Sequence, residues 1–186
     1  LSTAHVYASP LQGLITEETP TTNLHPYAAT HCRAEDLVLE GAVPATVIRL
    51  SNAFGPPRHA GVNCWMLLVN DLCRQAVTQR KLMLRGNGLD QRDFVSLSNV
   101  TYGLKHLLNL PQNLWNGEIF NFGSGKSRSV IEMAELIAER CQELFGFRTR
   151  IKLGAGEDKY PSLSFSNQRF ASTGFSFVDD SVAEID

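Results

Sequence analysis

Tyr27 and His31 stand four residues apart directly after Pro26. A helix begun by that proline would stack the two rings one turn apart on a single face. A tyrosine hydroxyl serves as a general acid or base only where its surroundings lower its pKa from about 10, and a nearby cation does so by favouring the phenolate. Histidine is mostly neutral at pH 7, so it would help less than a lysine in the same place. The same spacing is also that of any helix-face pair, which is the commoner case.

Three further clusters carry chemistry-bearing groups. Ser2-Thr3-Ala4-His5-Val6-Tyr7 reads as a strand end, and hydroxyls there would point into the crevice where α/β sheets bind ligands, or serve simply as the polar start of a loop. Arg49-Leu50-Ser51-Asn52 ends a short apolar strand at the same kind of edge. Arg92 could hold a phosphate by charge-assisted hydrogen bonds, or equally form a local salt bridge with Asp93. Gly123-Ser124-Gly125-Lys126-Ser127 mimics the end of a P-loop, but the glycine required five positions before Gly125 is Phe120, so a P-loop is excluded.

The elements that must position these groups alternate between strand and helix, which argues for an α/β fold with a parallel sheet. A loop from Ser9 to Asn23 leads into a helix over 27–40, with Gly41 as its natural stop. Residues 45–50 form a nearly all-apolar, β-branched run suited to a strand buried on both faces. Val62, Trp65, Met66, Val69, Leu72, Cys73 and Ala76 recur at helical spacing and predict a helix over 62–78. Residues 81–84 and 92–97 read as strands around a Gly86-Asn87-Gly88 turn, and Ser98 could cap a helix ending near Pro111. A strand over 118–122 precedes Ser129-Val130-Ile131-Glu132, a capping box opening a helix that Gly146 closes. Residues 148–153 read as a last strand, and the tail is polar with two short helices.

The totals bound the class. The 186 residues are 43% hydrophobic and 19% charged, a globular composition, and the net charge of -2 offers no basic field for nucleic acid or an anionic membrane. No apolar run approaches the roughly 20 residues of a membrane span. Cys32, Cys64, Cys73 and Cys141 form no Cys-x-x-Cys pair and no zinc-ligand pattern, so no metal is expected, and reduced thiols in a cytoplasmic protein are the plain reading. The start lacks both Met and a basic signal region, so the chain is expected to begin within a longer protein.

In order along the chain, these segments resemble the extended short-chain dehydrogenase/reductases, the NAD-dependent nucleotide-sugar epimerases and dehydratases. Ser2-Thr3-Ala4-His5-Val6-Tyr7 is similar to that family's Ser-Ser/Thr-Ala-x-Val-Tyr-Gly segment, with Ala8 for the usual glycine. Pro26-Tyr27-Ala28-Ala29-Thr30-His31 resembles its Pro-Tyr-x-x-x-Lys helix, and 47–56 resembles its Arg-x-x-Asn-x-Tyr/Phe-Gly-Pro strand. Leu84-Arg85-Gly86-Asn87-Gly88 with Gln91-Arg92-Asp93-Phe94-Val95, then Phe120-Asn121-Phe122-Gly123-Ser124-Gly125, match its later segments, and Thr173-Gly174-Phe175 stands at its usual Leu-Gly-Trp turn.

The resemblance implies an α/β fold made of a partial Rossmann-like parallel sheet and a small α/β substrate-binding domain. Residues 1–60 would be the remnant of the NAD-binding domain with the active-site helix. Residues 61–186 would mainly bind the sugar nucleotide, with 92–125 partly returning to the Rossmann sheet. It implies that Thr3 hydrogen-bonds the reacting sugar oxygen and that Tyr27 moves the hydroxyl proton as hydride passes to NAD or NADP. His31 stands at the position of the lysine that binds the nicotinamide ribose, without its permanent charge. Asn52, Arg92 and, less closely, Asn63 would contact the diphosphate, and Leu84 would lie beside the base. The partner implied is a nucleoside-diphosphate sugar, with a possible homodimer. Because no Gly-x-Gly-x-x-Gly follows a strand here, the chain is expected to be a C-terminal portion that is inactive alone. Dehydratases of the family usually carry an acidic pair after the threonine; Ala4-His5 favours an epimerase or reductase. A degenerate, regulatory nucleotide-sugar binder is the alternative that His31 raises.

Overall fold

The computed structural model describes residues 1–59, 61–156 and 161–186. In chain order the elements are β1 (Ser2–Thr3), β2 (Gly13–Ile15), α1 (Pro26–Leu39), β3 (Val47–Leu50), β4 (Asn52–Phe54), α2 (Leu68–Gln79), β5 (Lys81–Met83) and β6 (Gln91–Ser96). They continue with α3 (Leu97–Leu108), β7 (Ile119–Phe122), β8 (Ser127–Ser129), α4 (Val130–Phe145), β9 (Arg150–Lys152), β10 (Leu163–Phe165), α5 (Gln168–Ala171) and α6 (Ser181–Ile185). Short 3-10 turns lie at Ala4–Val6 and Gln112–Leu114.

The fold is mixed α/β with parallel sheets, as expected. β1, β3 and β7 form one parallel sheet in that order. Ile48 pairs with Phe120 and Leu50 with Phe122, while Arg49 pairs with Asn121. Strand side chains alternate between faces, so the sheet separates these two sets. The apolar set packs with Val100 and Leu107 of α3 and Phe170 of α5 in one core. The polar set meets α1 on the other face, where Glu35 bonds Arg49. A second core joins Phe54, Leu82 and Phe94 to α2 and to the face of α4 formed by Val130, Met133, Ala134, Ile137, Ala138 and Cys141. β4, β6 and β8 run beside one another, with β8 antiparallel, and β5 pairs with β9.

Several ends fall where local chemistry puts them. Pro26 opens α1, and His25 Nδ1 accepts the Tyr27 amide at 3.2 Å. The capping box is complete: Ser129 Oγ accepts the Glu132 amide at 3.2 Å, and Glu132 Oε2 accepts the Ser129 amide at 2.6 Å. Gly146 closes α4 at φ 72°, a left-handed conformation that costs glycine little.

Other expectations are corrected. α1 ends on Glu40, whose amide donates to the Asp36 carbonyl, with no left-handed turn at Gly41. α2 begins at Leu68, not 62: Val62 is exposed, Trp65, Met66 and Leu67 line a cleft instead of a core, and Leu67 offers no side-chain cap. α3 is capped by Ser96, whose Oγ accepts the Asn99 amide at 3.0 Å, while the Ser98 amide donates to Glu184. The loop expected over 9–23 contains β2, and the polar tail contains β10, which pairs with it in parallel. Among the described residues no helix is long and apolar enough to cross a membrane, and no cluster of His, Cys, Asp and Glu could hold a metal.

Candidate active site

A cleft of about 820 Å³ opens where β1 and β3 end and β4 begins, against the start of α1 and residues within 65–92. Thr3, Tyr27, Asn52, Leu84 and Arg92 all line it. Thus groups separated by up to 89 positions in the chain share one wall system: Thr3 ends β1, Tyr27 lies in the first turn of α1, Asn52 begins β4 where β3 has just ended, Leu84 follows β5 and Arg92 lies at the start of β6. His31 and Asn63 are not among the lining residues. His31 instead sets its ring edge-on against Tyr27, with centroids 4.7 Å apart. Asn63 is exposed in the turns before α2.

Each lining group has a defined local role. Thr3 is buried, and its Oγ1 accepts the His5 amide at 3.2 Å, capping the 3-10 turn; the hydroxyl proton remains for a partner in the cleft. Tyr27, on the first turn of α1, is 51% exposed, so its hydroxyl is reachable from the cleft. Asn52 Nδ2 donates to the Asp93 carbonyl at 2.9 Å, leaving Oδ1 as the atom it can offer. The guanidinium of Arg92 pairs with Asp90 (2.9 Å from Nε and 2.8 Å from Nη2), not with Asp93. The alternation of β6 explains this: Arg92 and Asp93 point to opposite faces. Half-exposed ion pairs contribute little stability, so Asp90 orients the Arg92 fork more than it neutralises it.

Asp93 is fully buried and receives four donors: Ser51 Oγ (2.6 Å), the Ser124 amide (2.8 Å), Ser124 Oγ (3.0 Å) and the Gly125 amide (2.8 Å). The turn that resembled a P-loop therefore does gather amides around an anion, but the anion is this internal carboxylate. Burial pushes the Asp93 carboxyl above its ordinary range, and the four donors oppose that shift. Gly123 is required there, since a Cβ would lie 2.5 Å from Asp93 Oδ1.

Sequence reasoning assigned no contact role to His5 or Trp65, which line the same cleft, and placed Met83, which also lines it, only within the 82–84 stretch beside the base. Trp65 and Met66 were absorbed into an apparent helical stripe, and that period concealed them. The walls around His5 and the charge of Arg92 hold its imidazole below the ordinary value of 6.5. Arg92→Gln is accordingly expected to raise the His5 midpoint toward 6.5 in an NMR titration of the histidine ring; an unmoved midpoint would show that Arg92 does not act on it.

The sequence profile of the NAD dependent epimerase/dehydratase family matches residues 1–123. An uncharacterized UDP-glucose epimerase of Bacillus subtilis is 28% identical over 142 residues, covering 74% of this chain and 42% of that protein. The dTDP-L-rhamnose 4-epimerase of Burkholderia thailandensis is 30% identical over 128 residues, covering 66% of this chain and 33% of that protein. A solved structure of UDP-glucuronic acid 4-epimerase from Bacillus cereus, in complex with UDP-glucuronic acid and NAD, superposes with a TM-score of 0.77 at 19% identity, covering 99% of this chain and 57% of that one. The chain thus spans about two fifths of the length of the first curated relatives it matches (42%, 44% and 39%). With its residues 1–123 matched and its fold shared, the chain belongs to the NAD dependent epimerase/dehydratase family.

Proposed function

We propose that this chain carries the active-site helix and the sugar-nucleotide side of an NAD(P)-dependent nucleotide-sugar epimerase or reductase. The observation that carries the reading is the single cleft shared by Thr3, Tyr27, Asn52, Leu84 and Arg92. In this division, residues 1–60 with the returning strand β7 serve the cofactor side, and the rest of 61–186 serves the sugar nucleotide.

The residues present suit the nicotinamide-ribose end of the cofactor: an exposed Tyr27 hydroxyl with the His31 ring beside it. The glycine turn at 123–125 does not serve the pyrophosphate end, since the amides of 124 and 125 are already held by Asp93. When bound, NAD or NADP supplies the hydride exchange. Tyr27 then takes the proton of the sugar hydroxyl that becomes a carbonyl and returns it afterwards. Thr3 donates a hydrogen bond to that oxygen and orients it. Arg92 binds the diphosphate with its two-pronged fork, Asn52 Oδ1 accepts from a neighbouring sugar or phosphate hydroxyl, and Leu84 packs on the base. His31 hydrogen-bonds a ribose hydroxyl without supplying permanent charge. The neutral Ala4-His5 pair favours epimerisation or reduction over dehydration.

His31 also supports a second reading, a nucleotide-sugar-binding protein that does not turn over. Calorimetric titration of this chain with UDP, dTDP and GDP sugars, and separately with NAD, tests the assignment. The expected result is binding of one sugar nucleotide without NAD, lost in Arg92→Ala. Tight binding of NAD alone, or no binding of any sugar nucleotide, would refute the division proposed here.

A further inference from the structure

The face of the parallel sheet turned toward α1 is polar where a buried face is ordinarily apolar. Ser2, Arg49 and Asn121 are register neighbours across β1, β3 and β7. Helix α1 lays Glu35 onto this row. Ser2 Oγ donates to Glu35 Oε1 at 2.5 Å, and Arg49 Nη2 donates to Glu35 Oε2 at 2.6 Å. Arg49 Nε reaches both carboxylate oxygens, at 3.1 and 3.2 Å. Arg49 Nη1 donates to the Tyr7 hydroxyl at 2.9 Å, and that hydroxyl donates to Asn121 Oδ1 at 2.6 Å. The guanidinium also lies over the Tyr7 ring, 4.8 Å from its centroid. Burial pushes the Tyr7 phenol above its ordinary pKa, which keeps it a donor.

Both side chains of the Glu35–Arg49 pair are only 6% exposed. A pair so deeply buried is a poor source of stability, because apolar residues of similar size often do as well. What it supplies is geometry. A helix seated on apolar side chains can slide or roll among packings of similar energy. A helix seated on a two-pronged ion pair cannot move without leaving a buried charge unpaired. On α1 the point matters, since Ala28 and Glu35 are its only fully buried residues. Glu35 follows His31 by one turn and Tyr27 by two, on the same side of the helix. Its partner Ser2 immediately precedes Thr3. One carboxylate therefore ties the strand end that carries Thr3 to the helix that carries Tyr27.

We propose that Glu35 and Arg49, with Ser2 and Tyr7, are positioning residues that fix the Tyr27–His31 turn of α1 against Thr3. The catalytic meaning of this rests on the function proposed above; the placement of α1 does not.

The test is the triple variant Ser2→Ala/Glu35→Leu/Arg49→Met in the complete protein, which removes both charges of the pair together; the Tyr7 hydroxyl loses the Arg49 donor but keeps its own bond to Asn121. The expected result is a Tm near that of the wild type and a crystal structure in which the first turn of α1 has moved by about 1 Å relative to β1. kcat should fall about 100-fold, as such a misplacement of reacting groups implies, with KM for the nucleotide sugar changed little, because Arg92, Asn52 and Leu84 lie on other elements. An α1 that stays in place overturns the proposal, as does a displaced α1 with unchanged kcat. If the triple variant does not fold, Ser2→Ala alone is read in the same two ways, with a smaller shift and about a fivefold fall in kcat expected, and no change in either overturning the idea. Should the wild-type protein turn over no nucleoside-diphosphate sugar, the reaction reading fails by itself, and the position of α1 in the two crystal structures still decides the positioning claim.

Discussion

Tyr27→Phe in the complete protein is expected to lower kcat by about 10²–10⁴-fold while KM for the nucleotide sugar changes only a few-fold. The range is that of a single well-placed acid/base group, and the phenyl ring keeps the edge-on contact with His31. The hydroxyl it removes is the one exposed titratable oxygen that α1 presents to the cleft among the described residues. Steady-state kinetics decide the matter. A variant with wild-type kcat would remove Tyr27 from the chemistry and leave the cleft as a binding site. His31→Lys extends the argument with a defined sign. A permanent cation beside the phenol favours loss of its proton, so the kcat–pH profile should move toward lower pH and turnover near pH 7 should rise. An unchanged profile would mean that the imidazole already does what a lysine would do.

Asp93→Ala is expected to be the most damaging single change to stability, at about 2–4 kcal/mol. The carboxylate is fully buried, and its loss removes the acceptor of the Ser51 hydroxyl and of the amides of Ser124 and Gly125, while the Ser124 hydroxyl can turn to the Lys126 carbonyl at 3.0 Å. Each buried donor left without an acceptor costs about 1–3 kcal/mol; Gly125 is exposed and water can serve it, which holds the sum down. Against a typical total of 5–15 kcal/mol this is a large fraction. Asp93→Asn keeps the shape but turns an NH2 toward donors, so it should recover little. Urea unfolding of both variants measures the effect, and a midpoint within error of the wild type would show that the 123–125 turn holds itself. Asn52 bonds the main-chain carbonyl of residue 93, which the substitution keeps, so any loss of sugar-nucleotide binding would come from a shift of β6, where Arg92 is the neighbouring residue.

Much of this molecule is written in short stretches of the chain. Pro26 starting α1, the Ser129–Glu132 capping box and the left-handed Gly146 are events within one helical turn, and the residues involved are the whole of the cause. The α/β order follows from apolar periodicity, and the family follows from motifs kept in sequence along residues 1–123. Thr3, Tyr27, Asn52, Leu84 and Arg92 could be named before any fold was drawn, because each sits in such a motif.

What could not be read locally depends on partners far along the chain. β2 is too short and too exposed to declare itself; it exists because residues 163–165 return to pair with it. The stripe beginning at Val62 has helical spacing, yet Trp65 and Met66 face a cleft, and only the position of the walls distinguishes a core stripe from a lining. From the sequence Arg92 had a phosphate or Asp93 as its partner; the pleat of β6 turns Asp93 to the opposite face, and the carboxylate that Arg92 meets is Asp90. The glycine turn at 123–125 has the composition of a phosphate cradle, and it holds Asp93 because β6 lies beside the end of β7. Nothing in the sequence singles out Glu35; strands in register bring Ser2 and Arg49 together as its buried partners. Local signals set the conformation of a turn, whereas the partner of a buried charge is set by which distant strand is brought beside it.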